Sequence, residues 1–289
     1  MPRYITKKTI HPKNYVCLRM RESRHHKNLV SGFSSKNPNL ARYLQSNAWF
    51  EDTNDRKAIY LVKDGEKIAG YFSFQSGMLI RCHTKILRGI DFQEVAGKKE
   101  YIINDDVIDV TDTLPAIEIS HFCINENYKT RASNWNIKFG NKSYSVGQYI
   151  FLKFLAPKIL ETSEKIGVYI TYLFCADDGT GNLIEYYNSI GFKIMDNTAC
   201  IRSNYDSGLR CMTQTIENLR KQVSTFNDYT QIDYIIEYLK KNGALKIEQA
   251  KTMFNLYNPI ELFKAMEQDN YIEICGNRTD KYKYIKLHN

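Results

Sequence analysis

Between residues 117 and 192 the hydrophobic pattern changes period from one segment to the next, and this alternation constrains the fold more than any other feature. Residues 117–124 read as a strand and residues 146–164 carry apolar side chains at helical spacing. Residues 168–175 are a nearly continuous apolar strand, and residues 182–189 form a short helix that stops at Gly191. Strand, helix, strand, helix in that order predicts an α/β domain. Upstream, residues 58–62 and 68–74 are strand-like runs joined through Asp64-Gly65, a dipeptide that supplies the positive φ angles of a hairpin turn. Leu40, Tyr43, Leu44 and Ala48 follow Asn37-Pro38-Asn39 at three- and four-residue spacing, one face of a short helix. Residues 78–113 are poorly periodic and leave room for another hairpin.

The pattern changes again beyond a polar stretch, residues 200–225, which reads as a connector with one helix. Ile232, Ile235, Ile236 and Leu239 make a helical stripe ending at Asn242-Gly243, the usual left-handed stop. Residues 247–254 form a second helix. Asn258-Pro259 supplies an N-cap and a proline at the first helical position for a third, with Leu262, Phe263 and Met266 inward. Strands over 271–274 and 282–287 flank a Gly276-Asn277 turn. Three helices followed by a hairpin give the order of a winged helix-turn-helix. A chain of 289 residues accommodates both parts: an α/β domain with a mixed sheet over 1–205, and a connector helix with a small winged-helix-like domain over 206–289.

Apolar runs such as 149–155 are short and interrupted by Lys153, so no membrane partner is expected. The start Met1-Pro2-Arg3-Tyr4 is not a secretory signal. Seven scattered cysteines form neither C-x-x-C pairs nor zinc spacing and read as free thiols. These features predict a cytoplasmic protein without a bound metal. Of the formal charge of +8, an excess of nine lies in residues 1–48, where ten Lys and Arg (Arg3, Lys7, Lys8, Lys13, Arg19, Arg21, Arg24, Lys27, Lys36, Arg42) face a single acid, Glu22. Such a segment attracts a polyanion such as tRNA or cofactor phosphates, or is simply a solvated basic face. Residues 206–289 are close to neutral, with twelve bases against eleven acids. The third helix there carries Glu261, Glu267 and Asp269 against Lys264, which opposes DNA binding, whereas the wing offers Arg278, Lys281, Lys283 and Lys286. A protein-docking or dimerising role is favoured over a DNA partner.

Two stretches carry the chemistry. Lys142-Ser143-Tyr144-Ser145-Val146-Gly147 runs into the helix that starts near residue 146, where unpaired N–H groups and the positive dipole end suit a pyrophosphate and Gly allows close approach. Tyr186-Tyr187-x-x-x-Gly191-Phe192 follows the second strand and its helix. Together they resemble the GNAT superfamily of acetyl-CoA-dependent N-acetyltransferases, whose phosphate loop reads Gln/Arg-x-x-Gly-x-Gly/Ala and whose later signature reads Phe/Leu-Tyr-x-x-x-Gly-Phe. The resemblance covers roughly residues 30–195. It implies a GNAT fold that binds acetyl-CoA, with Tyr187 as the acid that protonates the departing thiolate, a role suited to a phenol of pKa about 10. It further implies that Phe122, Cys123 and Ile124 pair their backbone with the pantetheine arm, and that Lys142, Ser145, Val146, Gly147, Gln148 and Tyr149 hold the phosphates. Glu118 and His121 are the candidate bases for removing the amine proton. Strict alternation puts these two side chains on opposite faces of the strand or offset.

Phe33, Asn39-Leu-Ala-Arg-Tyr-Leu44, Ala48, the 68–74 hairpin and Leu114-Pro115 are similar to the GNAT toxins that acetylate the amino group of aminoacyl-tRNA. This chain departs from them in its length, in inserts near 81–113 and 129–143, and in its C-terminal domain. Lys142 and Ser145 depart from the phosphate loop, and Thr180 and Leu183 stand where the family often has Asn and Ala. The function expected is acetyl transfer to a primary amine, of aminoacyl-tRNA or of a protein lysine. The alternative is a catalytically degenerate GNAT-fold binding module or a nucleic-acid-binding regulator.

Overall fold

The computed structural model describes residues 15–288 apart from 82–90, 96–97, 104–105, 108–111, 129–135, 140–141, 178, 195–197, 201–208 and 277–282. Arg3, Lys7, Lys8 and Lys13 of the basic leader, Asn277 of the expected wing turn, and Arg278 and Lys281 lie outside the described residues, as do parts of both inserts.

The elements, in chain order, are β1 (Tyr15–Arg19), α1 (Arg24–Leu29), α2 (Pro38–Ser46), α3 (Ala48–Thr53), β2 (Ala58–Asp64), β3 (Lys67–Arg81), β4 (Asp91–Val95), β5 (Lys98–Ile103), β6 (Asp106–Val107) and β7 (Asp112–Ile124). There follow β8 (Asn136–Phe139), β9 (Lys142–Ser145), α4 (Val146–Ile150), a π-helical turn over Phe151–Leu155, α5 (Ala156–Ile166), β10 (Ile170–Cys175) and α6 (Asn182–Ser189). The chain then forms β11 (Lys193–Ile194), β12 (Thr198–Cys200), β13 (Arg210–Thr215), α7 (Ile216–Thr230), α8 (Ile232–Asn242), β14 (Ala244–Lys246), α9 (Ile247–Met253), α10 (Pro259–Gln268), β15 (Ile272–Cys275) and β16 (Tyr284–Leu287). None of the described helices is long and apolar enough to cross a membrane.

Contacts divide the chain into two units. The first, Asn14–Asn127 with Pro157–Leu219, holds a mixed sheet of order β1-β2-β3-β7-β10-β13-β11, with β12 added to β3. β7 and β10 are parallel and the other pairs antiparallel. The hairpin read from Asp64-Gly65 is present, with Gly65 at φ 60° and Asp64 opposite Lys67. One face of the sheet is covered by α1–α3 through Met20, Val30, Phe33, Leu44, Ala48, Ile59, Leu61 and Tyr71, each burial stabilising by roughly 1.5–3 kcal/mol for a large side chain. On the other, Tyr60 stacks between Phe72 and Phe74, and Lys158 of α5 lies over its ring. A buried carboxylate, Asp52, fixes the entry of the chain. It accepts from Arg19 Nε at 2.7 Å, from Arg21 N at 2.9 Å and from Ile59 N at 3.3 Å.

The stretch read as a connector with one helix begins instead with a strand, β13, paired antiparallel with β10 along its whole length. Its polar composition concealed it. Met212 and Gln214 are nonetheless both buried, two residues apart, as a half-buried strand requires.

The second unit, Tyr128–Ala156 with Arg220–Asn289, contains the β8–β9 hairpin, α4 and the C-terminal elements. Helix α8, strand β14, helices α9 and α10 and strands β15 and β16 form a three-stranded sheet of order β14-β16-β15 under three helices, the winged-helix arrangement. Ile232, Ile235, Leu239, Leu245, Leu262, Phe263, Met266, Ile272 and Ile285 make its core. The expected boundary signals are in place. Gly243 ends α8 at φ 78°, donating to Leu239 O, and Asn258 caps α10 ahead of Pro259. Buried Asp228 accepts from the backbone N–H groups of Tyr257 and Asn258, both at 2.7 Å, tying α7 to the start of α10.

Candidate active site

The centre of the first unit is a separation of two strands. The parallel ladder between β7 and β10 runs from Ala116↔Ile170 to Ile119↔Leu173 and stops there. Both strands continue, but apart: β7 stays paired with β3 from His121↔Ser73 to Ile124↔Gly70, and β10 with β13 from Phe174↔Cys211 to Cys175↔Arg210. Among the described residues no strand lies on the β10 side of residues 120–124. The separation coincides with a bulge. Phe74 faces Ile119 and Ser73 faces His121, so Ser120 is an extra residue on β7, and bulges bend a strand and raise its local twist.

The bulge also corrects the parity reading. Glu118 is opposite Gln75 and His121 opposite Ser73, two residues apart on β3, so the two candidate bases share one face of the sheet. Glu118 is buried, accepting from Tyr172 Oη at 3.0 Å and from Ser120 Oγ at 3.4 Å. That contact explains Gly77, where an added Cβ would come within 2.5 Å of the Tyr172 oxygen. His121 Nδ1 is 2.8 Å from Ser73 Oγ, and its ring stacks on Tyr43 at 3.8 Å and 13°. Tyr43 donates to Glu51 at 2.7 Å, and Glu51 pairs with Lys57 at 2.9 Å. Burial, with the nearby Lys57 charge, pushes His121 down to about 3, so the imidazole is neutral at neutral pH.

Tyr187 lies on α6, and the local sequence explains how it is held. At the N-terminal end the Asp177 carboxylate accepts from the N–H groups of Gly179 (3.0 Å), Gly181 (2.8 Å) and Leu183 (3.1 Å), acting as the missing cap. At the C-terminal end Gly191 N donates to Asn188 O and Phe192 N to Tyr187 O, with Gly191 at φ 91°. This is a Schellman motif, and its usual apolar contact is the packing of Phe192 on Tyr187, ring centroids 6.2 Å apart. The Tyr-x-x-x-Gly-Phe spacing is thus the geometry of a helix stop. Burial pushes the Tyr187 phenol upward, with the Cys175 and Cys123 thiols adding to the effect. The structure therefore brings Tyr187 together with Cys123 of the separated segment, while Phe122 of the same segment lies against Tyr186. Cys123 is buried and its thiol lies 3.2 Å from Ser35 Oγ. Ile124 is buried at the last register position.

The remaining candidates belong to the second unit. Ser145 is the N-cap of α4: its Oγ accepts from Gln148 N at 3.1 Å, and Gln148 Oε1 accepts from Ser145 N at 3.0 Å, a reciprocal capping box. Val146 and Gly147 are buried in the first turn. Tyr149 packs with Phe139, Phe154 and Phe226, and burial pushes its phenol up to about 12. The Lys142 ammonium sits 5.4 Å from the centre of the Tyr229 ring.

Sequence reasoning missed Tyr172, Ser73, Tyr43 and Asp177. Only Asp177 left a local trace, an acid ahead of Gly179 and Gly181 before a helix; the others are assembled by strand register.

The mixed sheet is the fold class that the GNAT resemblance implies; the bulge at Ser120 and the Schellman closure of α6 are features the structure adds. No protein-family model and no curated protein matches the sequence. Among solved structures the chain is similar to a mutant of the AtaT toxin, with TM-score 0.47 and 9% identity over 72% of this chain and 93% of that one. It is similar to a mutant of KacT, with TM-score 0.46 and 10% identity over 72% and 98%, and to AtaT complexed with acetyl-methionyl-tRNA, with TM-score 0.44 and 9% identity over 72% and 98%.

Proposed function

We propose that the chain is an acetyl-CoA-dependent N-acetyltransferase acting on a primary amine. The observation that carries this reading is the separation of β7 from β10 at Ile119 and Leu173, which leaves a strand edge inside a sheet beside a buried, protonated tyrosine. An extended, amide-bearing arm suits such an edge, since backbone N–H and C=O groups pair with amides as a further strand would. Phe122, Cys123 and Ile124 would line it. Acetyl-CoA supplies the acetyl thioester.

The chain's own residues then have distinct tasks. Tyr187, its pKa raised by burial, stays protonated at neutral pH and donates its proton to sulfur as the C–S bond breaks and the C–N bond forms. His121, neutral and clamped between Ser73 and Tyr43, lies in the separated segment and takes the amine proton. Its low basicity means that this proton passes on to water. Glu118, buried on the same face and accepting from Tyr172 and Ser120, positions that face. Lys142, Ser145, Val146, Gly147, Gln148 and Tyr149 remain the positions proposed for the phosphates.

The basic leader favours an amine carried on a polyanion, such as aminoacyl-tRNA, with a protein lysine next. Arg19 and Arg21 are already paired with Asp52 and Asp55, so that role falls on the other cations. For the winged-helix part, proposed within 206–289, docking or dimerisation is favoured over DNA. Lys286 is paired with Glu273, and Met253, Tyr257 and Ile260 are more than half exposed. A cytoplasmic setting fits this chemistry.

One observation favours the rival reading, a binding module without turnover: the capping box occupies Gln148 N, a donor of the turn that would meet the phosphates. The thermal shift on adding acetyl-CoA decides. A ligand at 100 times its dissociation constant stabilises the fold by about 2.7 kcal/mol, and no shift at millimolar cofactor would sink the enzyme.

A further inference from the structure

Three tyrosine hydroxyls around the site have partners: Tyr43 donates to Glu51, Tyr71 to Leu40 O and Tyr172 to Glu118. Tyr186 differs. Its hydroxyl oxygen is shut off from solvent and has no hydrogen-bond partner among the described residues. The ring itself is well placed, 6.4 Å from Phe122 and nearly parallel to it, and 5.4 Å from Tyr187. Phe122 belongs to residues 120–124, the segment of β7 that, among the described residues, no strand flanks on the β10 side. A phenylalanine would make both ring contacts without burying a polar atom, so in the free fold the hydroxyl is a cost without a return.

We infer that Tyr186 is a ligand-binding residue, whose hydroxyl donates to a carbonyl oxygen of an acyl-CoA arm laid along the 120–124 edge. The inference rests on the acetyltransferase reading and adds to it a contact that the GNAT signature, with Phe or Leu at this place, does not supply. A polar atom buried without a partner among the described residues, on a ring stacked against Phe122 of the open segment, is completed when an amide-bearing ligand occupies that edge. Tyr186 thereby favours acyl-CoA over ligands lacking a carbonyl there.

The test is Tyr186→Phe in the full chain, with the dissociation constant for acetyl-CoA and for CoA measured by calorimetry and the ligand-free melting temperature measured alongside. The expected result is opposite in sign in the two measurements: binding about tenfold weaker, or about 1.4 kcal/mol, and a melting temperature unchanged or raised. If the native chain binds acetyl-CoA and the variant binds it equally well, the inference is overturned. A lower melting temperature at an unchanged dissociation constant would likewise overturn it, assigning the hydroxyl to an enclosed water. If the native chain binds neither ligand, the acetyltransferase reading itself fails and takes this contact with it.

Discussion

Two helix ends in this molecule are closed by their own sequence, and they differ in how far they keep the form expected of an acetyltransferase. The C-terminus of α6 carries Tyr187, Gly191 and Phe192, and its turn uses Gly191 at φ 91° with Phe192 packed back on Tyr187. The N-terminus of α4 has Ser145 where the GNAT phosphate loop has its first glycine, and Ser145 turns its oxygen onto Gln148 N. A left-handed backbone position restricts the residue that can stand there, whereas a helix N-terminus accepts any side chain that satisfies its donors.

The largest expected effect breaks the comparison at α6. Tyr187→Phe should reduce turnover by about 10²–10⁴-fold, the usual worth of a positioned acid, while the melting temperature stays within a degree or two; a variant with full turnover would remove Tyr187 from the chemistry. Next, Gly191→Ala places a Cβ in left-handed backbone and should cost about 1–2 kcal/mol in chemical denaturation, with activity falling as Tyr187 loses its anchor. Ser145→Ala should cost about 1 kcal/mol through the lost cap. Its companion Ser145→Gly should cost only a few tenths, yet bind acetyl-CoA more tightly by freeing Gln148 N; unchanged affinity would place the phosphates elsewhere.

A further effect concerns pH. Because the folded pKa of His121 is depressed to about 3 from 6.5, the unfolded chain binds a proton there before the folded one. Stability from this group is therefore complete above pH 6.5 and is lost as pH falls toward 3, at up to roughly 1 kcal/mol per unit. His121→Gln should flatten that limb of the unfolding curve. An identical slope in the variant would show that His121 is not buried neutral.

The features legible in the sequence were those written locally. Asp64-Gly65, Asn242-Gly243 and Asn258-Pro259 each specify their own turn or cap, and α6 runs over the residues that its pattern marks. β13 was not legible because Arg210–Thr215 gains strand form from pairing with β10 on one side and β11 on the other. The same holds for the site. Tyr187 is named by a motif, whereas the Ser73–His121–Tyr43 clamp and the Tyr172–Glu118 contact join residues tens of positions apart, and no spacing announces them.

The extra residue at Ser120 has one more consequence. It works as a phase shift in the strand: counted from Ala116, odd and even positions exchange their meaning once Ser120 is passed. A chain shortened by that single residue would still present His121 beside Ser73, and would lose the added bend and the Ser120 hydroxyl that donates to Glu118. Length variation at this point would therefore be silent in which side chains share the face of Glu118 and audible in how wide the two strands stand apart.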